Sequence, residues 1–260
     1  MHDWLDKLAT ITVKTIEEKY YSVEKKMNKS PTSLREAILR SSGAAIISEI
    51  KFASPSKGII RKKRDLKEIA RQMIEGGVIG ISILTEPKYF AGDINFIAEI
   101  RNYVDIPLLM KDFILSPVQI DAASKIGANA ILFIKTIFDR KYCQENLEQM
   151  IEYAHSKGIE VILEVHSNDE FLSALKTSAD MVGINNRDLT TLKVDIKVTE
   201  CILENYRDDG KIIISESGIE TPKDIRFLRE CGVHAFLIGT TIMESPNIIE
   251  TIKAFVKAYE

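Results

Sequence analysis

The segment "AAIISEIKFASPSKG", residues Ala44–Gly58, is a short apolar run that ends in charged side chains and a turn. Ala44–Ile50 is mostly apolar and does not alternate with polar residues, which is typical of a strand buried on both faces of a parallel sheet. Glu49 and Lys51 lie two residues apart where the run stops, and the proline and glycine that follow indicate a tight turn. The fold therefore depends on how often the chain repeats this unit.

Similar short apolar runs recur along the rest of the chain, about 20 to 35 residues apart, the length of a strand plus a returning helix. They are "VIGISIL" (Val78–Leu84), "IPLLMKDF" (Ile106–Phe113), "ANAILFI" (Ala128–Ile134), "IEVILEV" (Ile159–Val165), "MVGINN" (Met181–Asn186), "KIIISES" (Lys211–Ser217) and "AFLIGT" (Ala235–Thr240). The segments between them have helical periodicity, as in Leu66–Gly76, Pro117–Ala128 and Pro222–Gly232. Each of these three ends near a glycine or begins with a proline, as helices do.

Eight such units predict a single (β/α)8 TIM barrel, a fold that takes about 250 residues; the chain has 260. A doubly wound open sheet is the alternative, and the G-x-G-x-x-G turn that would favour it is not in the sequence. Residues 1–43 are expected to form a helical extension that covers the barrel floor or borders its mouth, with helical spacing over Leu5–Met27 and a capped helix at Ser33–Ser41. Residues 44–260 would form the catalytic barrel, giving one domain overall.

The composition narrows the choice of partners. The net charge is −3, so there is no electrostatic reason to expect nucleic acid, and no apolar run approaches the length of a membrane span. The three cysteines are scattered without metal-type spacing, and no two histidines have ligand spacing. We therefore expect a cytoplasmic protein without a metal, a membrane or a nucleic-acid partner.

Polar side chains follow every predicted strand, at the end of a (β/α)8 barrel where chemistry takes place. Because buried charges are costly unless paired, such a ring predicts a shared polar cavity. Among these residues, Glu49, Lys51, Lys111 and Glu164 have close apolar neighbours and could divide acid and base roles. The others are Thr85, Glu86, Asp112, Lys135, His166, Asn185, Asn186, Arg187, Glu216, Ser217, Thr240 and Thr241, any of which could simply be solvated.

Two glycines carry a second signal. Gly218 directly follows the seventh run and Gly239 stands near the end of the eighth, where barrel enzymes often hold a phosphate. A glycine lets backbone N–H groups approach an oxyanion closely, although the same residue could merely permit a tight turn. Their occurrence after both strands favours a phosphate site.

Six motifs occur in one order: "EIKFASPSKG", "LLMKDFI", "VILEVHS", "VGINNRDL", "ISESGI" and "FLIGTTIM". Together they resemble the indole-3-glycerol phosphate synthase family, and the similarity runs from about Trp4 to the C-terminus. The resemblance implies a lyase of tryptophan biosynthesis that needs no metal or organic cofactor. Its phosphorylated substrate would be 1-(2-carboxyphenylamino)-1-deoxyribulose 5-phosphate, which loses carbon dioxide and water as the indole ring closes.

The resemblance also assigns roles. Lys111 would be the general acid on the substrate ketone, Glu164 would handle the proton of the later dehydration, and Glu49 and Lys51 would orient the substrate and assist. How acid and base steps divide among these four stays open. The implied substrate-binding residues are Ser54, Ser56, Phe90, Phe113, Asn185, Arg187, Glu216 and Ser217, and the implied phosphate-binding residues are Lys51, Gly218, Gly239 and Thr240.

Some positions depart from the family pattern. In "YFAGD" (Tyr89–Asp93), Ala91 replaces an amide and Asp93 adds a charge. Lys135 stands where an aliphatic or small residue is usual; it is either solvated at the rim, which we favour, or alters the electrostatics of the mouth. Two other enzyme classes remain as alternatives: a Schiff-base lyase or aldolase with Lys111 as nucleophile, and a phosphosugar isomerase. The resemblance is also compatible with a weak association with other tryptophan-pathway enzymes.

Overall fold

The computed structural model describes residues 3–24, 27, 32–62, 65–206 and 210–259. Eight parallel strands close into a barrel, and β1 pairs with both β2 and β8 to complete it. The strands are β1 Ala45–Ile50, β2 Gly80–Leu84, β3 Leu108–Lys111, β4 Ala130–Ile134, β5 Glu160–Val165, β6 Met181–Asn185, β7 Ile212–Glu216 and β8 Ala235–Ile238. The predicted (β/α)8 barrel is confirmed.

Helices alternate with the strands, and a small hairpin (Ala53–Ser54 with Gly58–Ile59) follows β1. The helices are α1 Trp4–Glu17, α2 Leu34–Leu39, α3 Leu66–Gly76, α4 Asn95–Arg101, α5 Pro117–Ile126, α6 Lys135–Asp139, α7 Leu147–Ser156, α8 Asn168–Ala174, α9 Lys197–Leu203, α10 Pro222–Glu230, α11 Thr240–Glu244 and α12 Ile248–Val256, followed by a 3-10 turn at Lys257–Tyr259. Helix α5 is shorter than predicted because Gly127 takes a φ of 88° and ends it. No helix in the described part of the chain is long and apolar enough to cross a membrane.

Alternate residues of each strand face opposite sides, and this creates two apolar cores. The outer core lies between the strands and the surrounding helices. The inner core fills the barrel below the strand ends, with side chains such as Ile47, Leu109, Ile162 and Ile214. The inner core thus forms the base on which the polar strand ends stand.

The N-terminal extension contacts both ends of the barrel. At the floor, the carboxylate of Glu160 at the start of β5 accepts a hydrogen bond from the Leu34 backbone N–H at 2.6 Å and so caps α2. At the mouth, Arg140 pairs with Asp3 at 2.7 Å and with Asp6 at 2.6 Å, which ties α1 to the segment after α6. The proposed division at residue 43 stays a prediction, and residues 1–2, 25–26 and 28–31 of the extension lie outside the described residues.

The predicted helical spacing over Leu5–Met27 was wrong for residues 18–24, because α1 ends at Glu17. Lys19 takes a φ of 61° and turns the chain away from the helix axis. The turn lets the hydroxyl of Tyr21 donate to buried Asp112 at 3.0 Å, next to the end of β3. Tertiary hydrogen bonding therefore overrides the local helical preference.

Candidate active site

The carboxyl ends of the strands open into a cavity of about 880 Å³. Most of the predicted site residues line it: Glu49, Lys51, Ser56, Phe90, Lys111, Phe113, Glu164, Asn185, Arg187, Glu216, Ser217, Gly218, Gly239 and Thr240. Ser54 is not among the lining residues. It lies in the hairpin after β1, with its Oγ 3.4 Å from the Oγ of Ser56.

Four charged residues occupy one level of the barrel: Glu49, Lys111, Glu164 and Glu216. They come from β1, β3, β5 and β7, and inward side chains of alternate strands form layers of four in this fold. Lys111 Nζ lies 2.6 Å from Glu216 Oε2 and 3.2 Å from Glu164 Oε2. One ammonium group is therefore shared by two buried carboxylates.

Lys111, Glu164 and Glu216 differ in the direction in which their surroundings shift their pKa values. Burial works against the charge on Lys111, but the carboxylates of Glu216, Glu164 and Glu49 outweigh it and raise the pKa of Lys111 above its ordinary value. Burial also opposes the charge on Glu164, yet Lys111 and His166 lower the pKa of Glu164 to about 2. For Glu216 burial dominates and raises its pKa to about 7, despite the contact with Lys111.

A second ion pair stands beside this group. Lys51 Nζ lies 2.6 Å from Glu49 Oε1, and the two residues share the inner face because they are two positions apart at the end of β1. Glu49 Oε2 is buried and has no hydrogen-bond partner among the described residues. The pair leaves an acceptor free to receive a proton or a substrate hydroxyl.

The far side of the cavity is formed by backbone at the ends of β7 and β8. Ser217 and Gly218 take φ values of 70° and 79°, a left-handed pair that turns the chain sharply after β7. Gly239 directly follows β8, and Thr240 begins α11. The hairpin after β1 reaches this side, where Lys57 pairs with Glu244 at 2.8 Å.

The opposite wall is apolar. Phe90 and Phe113 lie with ring centroids 6.0 Å apart, and Leu84, Leu132, Ile134 and Leu189 line the cavity with them. Sequence reasoning did not select these four aliphatic residues: Leu84, Leu132 and Ile134 lie in buried strands and look like ordinary core, and Leu189 lies in the segment after β6. An apolar wall facing a charged group and a backbone turn suits a ligand with an aromatic end and a phosphorylated end.

Comparison with known proteins agrees with this geometry. The model of the family described as indole-3-glycerol phosphate synthase matches residues 3–255. The chain belongs to the indole-3-glycerol phosphate synthase family. The family predicted from the six motifs is thus confirmed.

Two curated relatives, both named indole-3-glycerol phosphate synthase, illustrate the similarity. The protein of Caldanaerobacter subterraneus subsp. tengcongensis is 45% identical over 213 residues, covering 82% of this chain and 80% of that protein. The protein of Methanocaldococcus jannaschii is 46% identical over 213 residues, covering 81% and 77%.

Solved structures outside the family share the fold. Thiamine phosphate pyrophosphorylase from Pyrococcus furiosus superposes with a TM-score of 0.59 at 18% identity, over 87% of this chain and 97% of that one. A structure described as "Native KDPGal structure" gives 0.57 at 16% identity, over 91% and 97%. At such identities the likeness concerns the barrel alone.

Lys135, which departs from the family pattern, begins α6 and does not line the cavity. Its ammonium group contacts Asp139, and its side chain is only 12% exposed. The favoured expectation of a solvated lysine was therefore wrong. Among the described residues, no cluster of His, Cys, Asp and Glu side chains is arranged to hold a metal ion.

Two glycines in family motifs make room for the carboxylates. A Cβ atom at Gly239 would lie 2.5 Å from Glu49 Oε1, and one at Gly183 would overlap Glu216 Oε1. Sequence reasoning selected Gly239 as a phosphate residue and missed Gly183. The available signal was a glycine inside a buried strand, which often marks a close approach of another group.

Replacement of Gly183 by alanine is expected to lower kcat by about a hundredfold, because displacing a reacting group by about 1 Å has an effect of that size. The added methyl would push Glu216 away from Lys111. Steady-state kinetics of Gly183→Ala should be compared with the same change in a Glu216→Ala background, where it should have little further effect. An equal loss of kcat in both backgrounds would show that Gly183→Ala does not act by displacing Glu216 from Lys111.

Proposed function

We propose that the cavity binds 1-(2-carboxyphenylamino)-1-deoxyribulose 5-phosphate and converts it to indole-3-glycerol phosphate, carbon dioxide and water. The observation that carries the proposal is the ammonium group of Lys111, held between Glu164 and Glu216 in the cavity of a family member. This is the lyase reaction of tryptophan biosynthesis that gives the family its name.

Ring closure needs an acid at the substrate ketone. When the aromatic carbon attacks the ketone, negative charge develops on its oxygen, and a fixed ammonium group can neutralise that charge with a proton. Lys111 is the general acid of this step, since the carboxylates around it keep it protonated. Loss of the substrate carboxylate as carbon dioxide then restores the aromatic ring.

The second phase is a dehydration. The hydroxyl formed from the ketone leaves as water with a proton from an acid, and a base removes a proton from carbon to complete the indole. Glu164 is the base, because its low pKa keeps it ionised, and the pair of Glu49 and Lys51 assists the proton transfers. Lys51 and Lys111 are both placed to supply the acid.

The rest of the substrate fits the two other walls. Backbone N–H groups of Gly218, Gly239 and Thr240 bind the phosphate together with Lys51, and the left-handed turn at Ser217 and Gly218 supports this assignment. The aromatic ring of the substrate lies against Phe90 and Phe113, and the substrate-positioning polar residues are Ser56, Asn185, Arg187, Glu216 and Ser217. Ser54 has no comparable support.

A Schiff-base mechanism is less compatible with this site. A lysine nucleophile must be unprotonated, and it is normally activated by a lowered pKa. The neighbours of Lys111 raise its pKa instead. The same contacts that suit an acid therefore oppose a nucleophile.

The location and the partners remain proposals. Cys143, Cys201 and Cys231 are free thiols, which supports a reducing compartment such as the cytoplasm. We propose a phosphorylated small molecule as substrate, no nucleic-acid partner, and at most a weak association with other enzymes of tryptophan biosynthesis.

The reaction is tested by incubating the purified protein with the anthranilate-derived ribulose phosphate. We expect the indole product, measured by its fluorescence, and carbon dioxide to appear in equal molar amounts. We also expect borohydride to trap no covalent adduct between the protein and the substrate. A covalent adduct at Lys111 would instead support the lyase or aldolase alternative, and a rearranged sugar without carbon dioxide would support the isomerase.

A further inference from the structure

His166 lies between two carboxylates, just after the end of β5. Its Nε2 is 3.3 Å from Glu164 Oε1, and its Nδ1 is 3.6 Å from Glu170 Oε2. These are ion-pair distances without the alignment of a hydrogen bond, and both ring nitrogens are buried. Glu164 lines the cavity, whereas His166 does not.

Glu170, on the far side of the ring, is firmly held. It accepts a hydrogen bond from Thr136 Oγ1 at 2.6 Å and another from the His166 backbone N–H at 2.8 Å. A neutral imidazole carries a proton on only one of its two nitrogens. The lone pair of the other nitrogen would then face one of the two carboxylates. The imidazolium form presents an N–H to both, so the site favours a charged ring.

The two carboxylates on Lys111 are unequally supported. Glu164 is stabilised by Lys111, by His166 and by the side chain of Asn185. Glu216 contacts Lys111, and its buried Oε1 has no hydrogen-bond partner in the part of the chain that the structure describes. Two carboxylates that share one ammonium group compete for it, and the one with fewer partners is protonated first.

We propose that His166 is a positioning residue that decides which of these carboxylates stays ionised: held as an imidazolium by Glu170, it keeps Glu164 anionic and leaves the proton to Glu216. The inference rests on the proposed function, in which Glu164 acts as a base. No role for His166 followed from the sequence.

The charged groups around the ring agree with this. Burial opposes a charge on His166, but Glu164 and Glu170 outweigh it and raise the pKa of the imidazole to about 9. Beyond Glu164 lies Lys111 on β3, with Glu216 on β7 and Glu49 on β1 as its further neighbours. Helix α6 meets the cluster through Thr136, which donates to Glu170, and the charged residues Lys135 and Asp139 of that helix pair with each other.

The sign of the pH dependence follows from the loss of a cation. In His166→Asn, Glu164 loses one of the groups that lower its pKa, so its pKa rises and the shared proton moves from Glu216 toward Glu164. Activity that needs ionised Glu164 is then lost at a higher pH as the solution is acidified. A displacement of one pKa unit changes the ionised fraction up to about tenfold.

The kinetic test measures kcat and KM between about pH 5 and pH 9. For His166→Asn we expect the acid limb of the kcat profile to move to higher pH by about one unit, so that kcat falls by up to about tenfold on that limb, with KM changed less than about threefold. Glu170→Gln should shift the acid limb in the same direction by a smaller amount. The matched control is His155→Asn. His155 lies on α7, pairs with Asp180 at 2.9 Å and does not line the cavity. The pH profile of this variant should match that of the unaltered protein.

A direct readout separates this effect from a merely structural one. With glutamate carboxyl groups labelled with ¹³C, a buried resonance that titrates near neutral pH in the unaltered protein should vanish in Glu216→Gln. In His166→Asn the group that titrates near neutral pH should instead be Glu164. Its resonance should therefore vanish in the double variant His166→Asn, Glu164→Gln. If His166→Asn leaves both the pH profile and the titration unchanged, the inference is overturned, even where the variant is less stable. If the unaltered protein makes no indole-3-glycerol phosphate, the proposed function fails while the carboxyl titration can still be observed.

Discussion

Replacement of Lys111 by methionine is expected to lower kcat/KM for ring closure by about a thousandfold, a typical contribution of a positioned general acid. Methionine fills a similar volume but cannot donate a proton to the ketone oxygen. Measurement of indole fluorescence under single-turnover conditions isolates the chemical step from product release.

The same substitution has a consequence for folding that can be measured separately. Without the ammonium group, Glu164 and Glu216 remain buried at 3% and 2% exposure, so their pKa values rise. Carboxyl groups with raised pKa values stabilise the fold at low pH, and that stabilisation is lost as the pH rises through them. Lys111→Met should therefore melt at a lower temperature at pH 8 than at pH 6, by a larger margin than the unaltered protein.

The control is Lys135→Met, which removes a lysine next to the end of β4 that does not line the cavity. It should retain most of the activity. If Lys111→Met keeps more than about a tenth of the kcat/KM of the unaltered protein, the assignment of Lys111 as general acid is wrong.

Replacement of Arg101 by methionine is expected to lower the free energy of unfolding by about 3 to 5 kcal/mol, because several buried neutral oxygens lose their hydrogen-bond donor at about 1 to 3 kcal/mol each. Arg101 is 7% exposed and donates to the carbonyl oxygens of Val104 at 2.9 Å and Gly127 at 3.1 Å, and to Asn129 Oδ1 at 2.6 Å. These acceptors lie in the segments that enter β3 and β4, at the end of the barrel opposite the cavity.

Urea denaturation followed by circular dichroism tests this effect, and kcat should change little in the variant that remains folded. Arg71→Met is the control, since Arg71 forms ion pairs with Glu68 and Glu75 on the exposed face of α3 and should matter much less. An unfolding midpoint for Arg101→Met equal to that of the control would show that the buried guanidinium does not hold these segments.

The strands were predictable because a parallel barrel buries them on both faces, and the resulting apolar runs are conspicuous. Each predicted run contains the observed strand and extends past at least one of its ends; the third was predicted over Ile106–Phe113, and the strand spans Leu108–Lys111. Phe113, at the end of this run, is apolar for a different reason, since it lines the cavity and lies outside the strand. Hydrophobicity alone does not separate these two uses.

The site was predictable as a set of residues but not as a set of contacts. The end of each strand identifies which side chains face the mouth, so most of the predicted residues meet in one cavity. The sharing of Lys111 between Glu164 and Glu216 depends on the tilt and stagger of β3, β5 and β7, which bring alternate strands to one level. Local sequence contains no measure of that stagger, and for the same reason it gave no role to His166.

The placement of α2 has a further consequence for the route by which the products leave the enzyme. Leu34 and Ile38 pack into the inner core at the amino-terminal end, so within the described residues the barrel is a well with a closed bottom. Carbon dioxide and water formed beside Lys111 must then escape past the bound indole, by the route the substrate used to enter. The products therefore leave past the rim, where the ion pair of Lys57 and Glu244 joins the hairpin after β1 to α11.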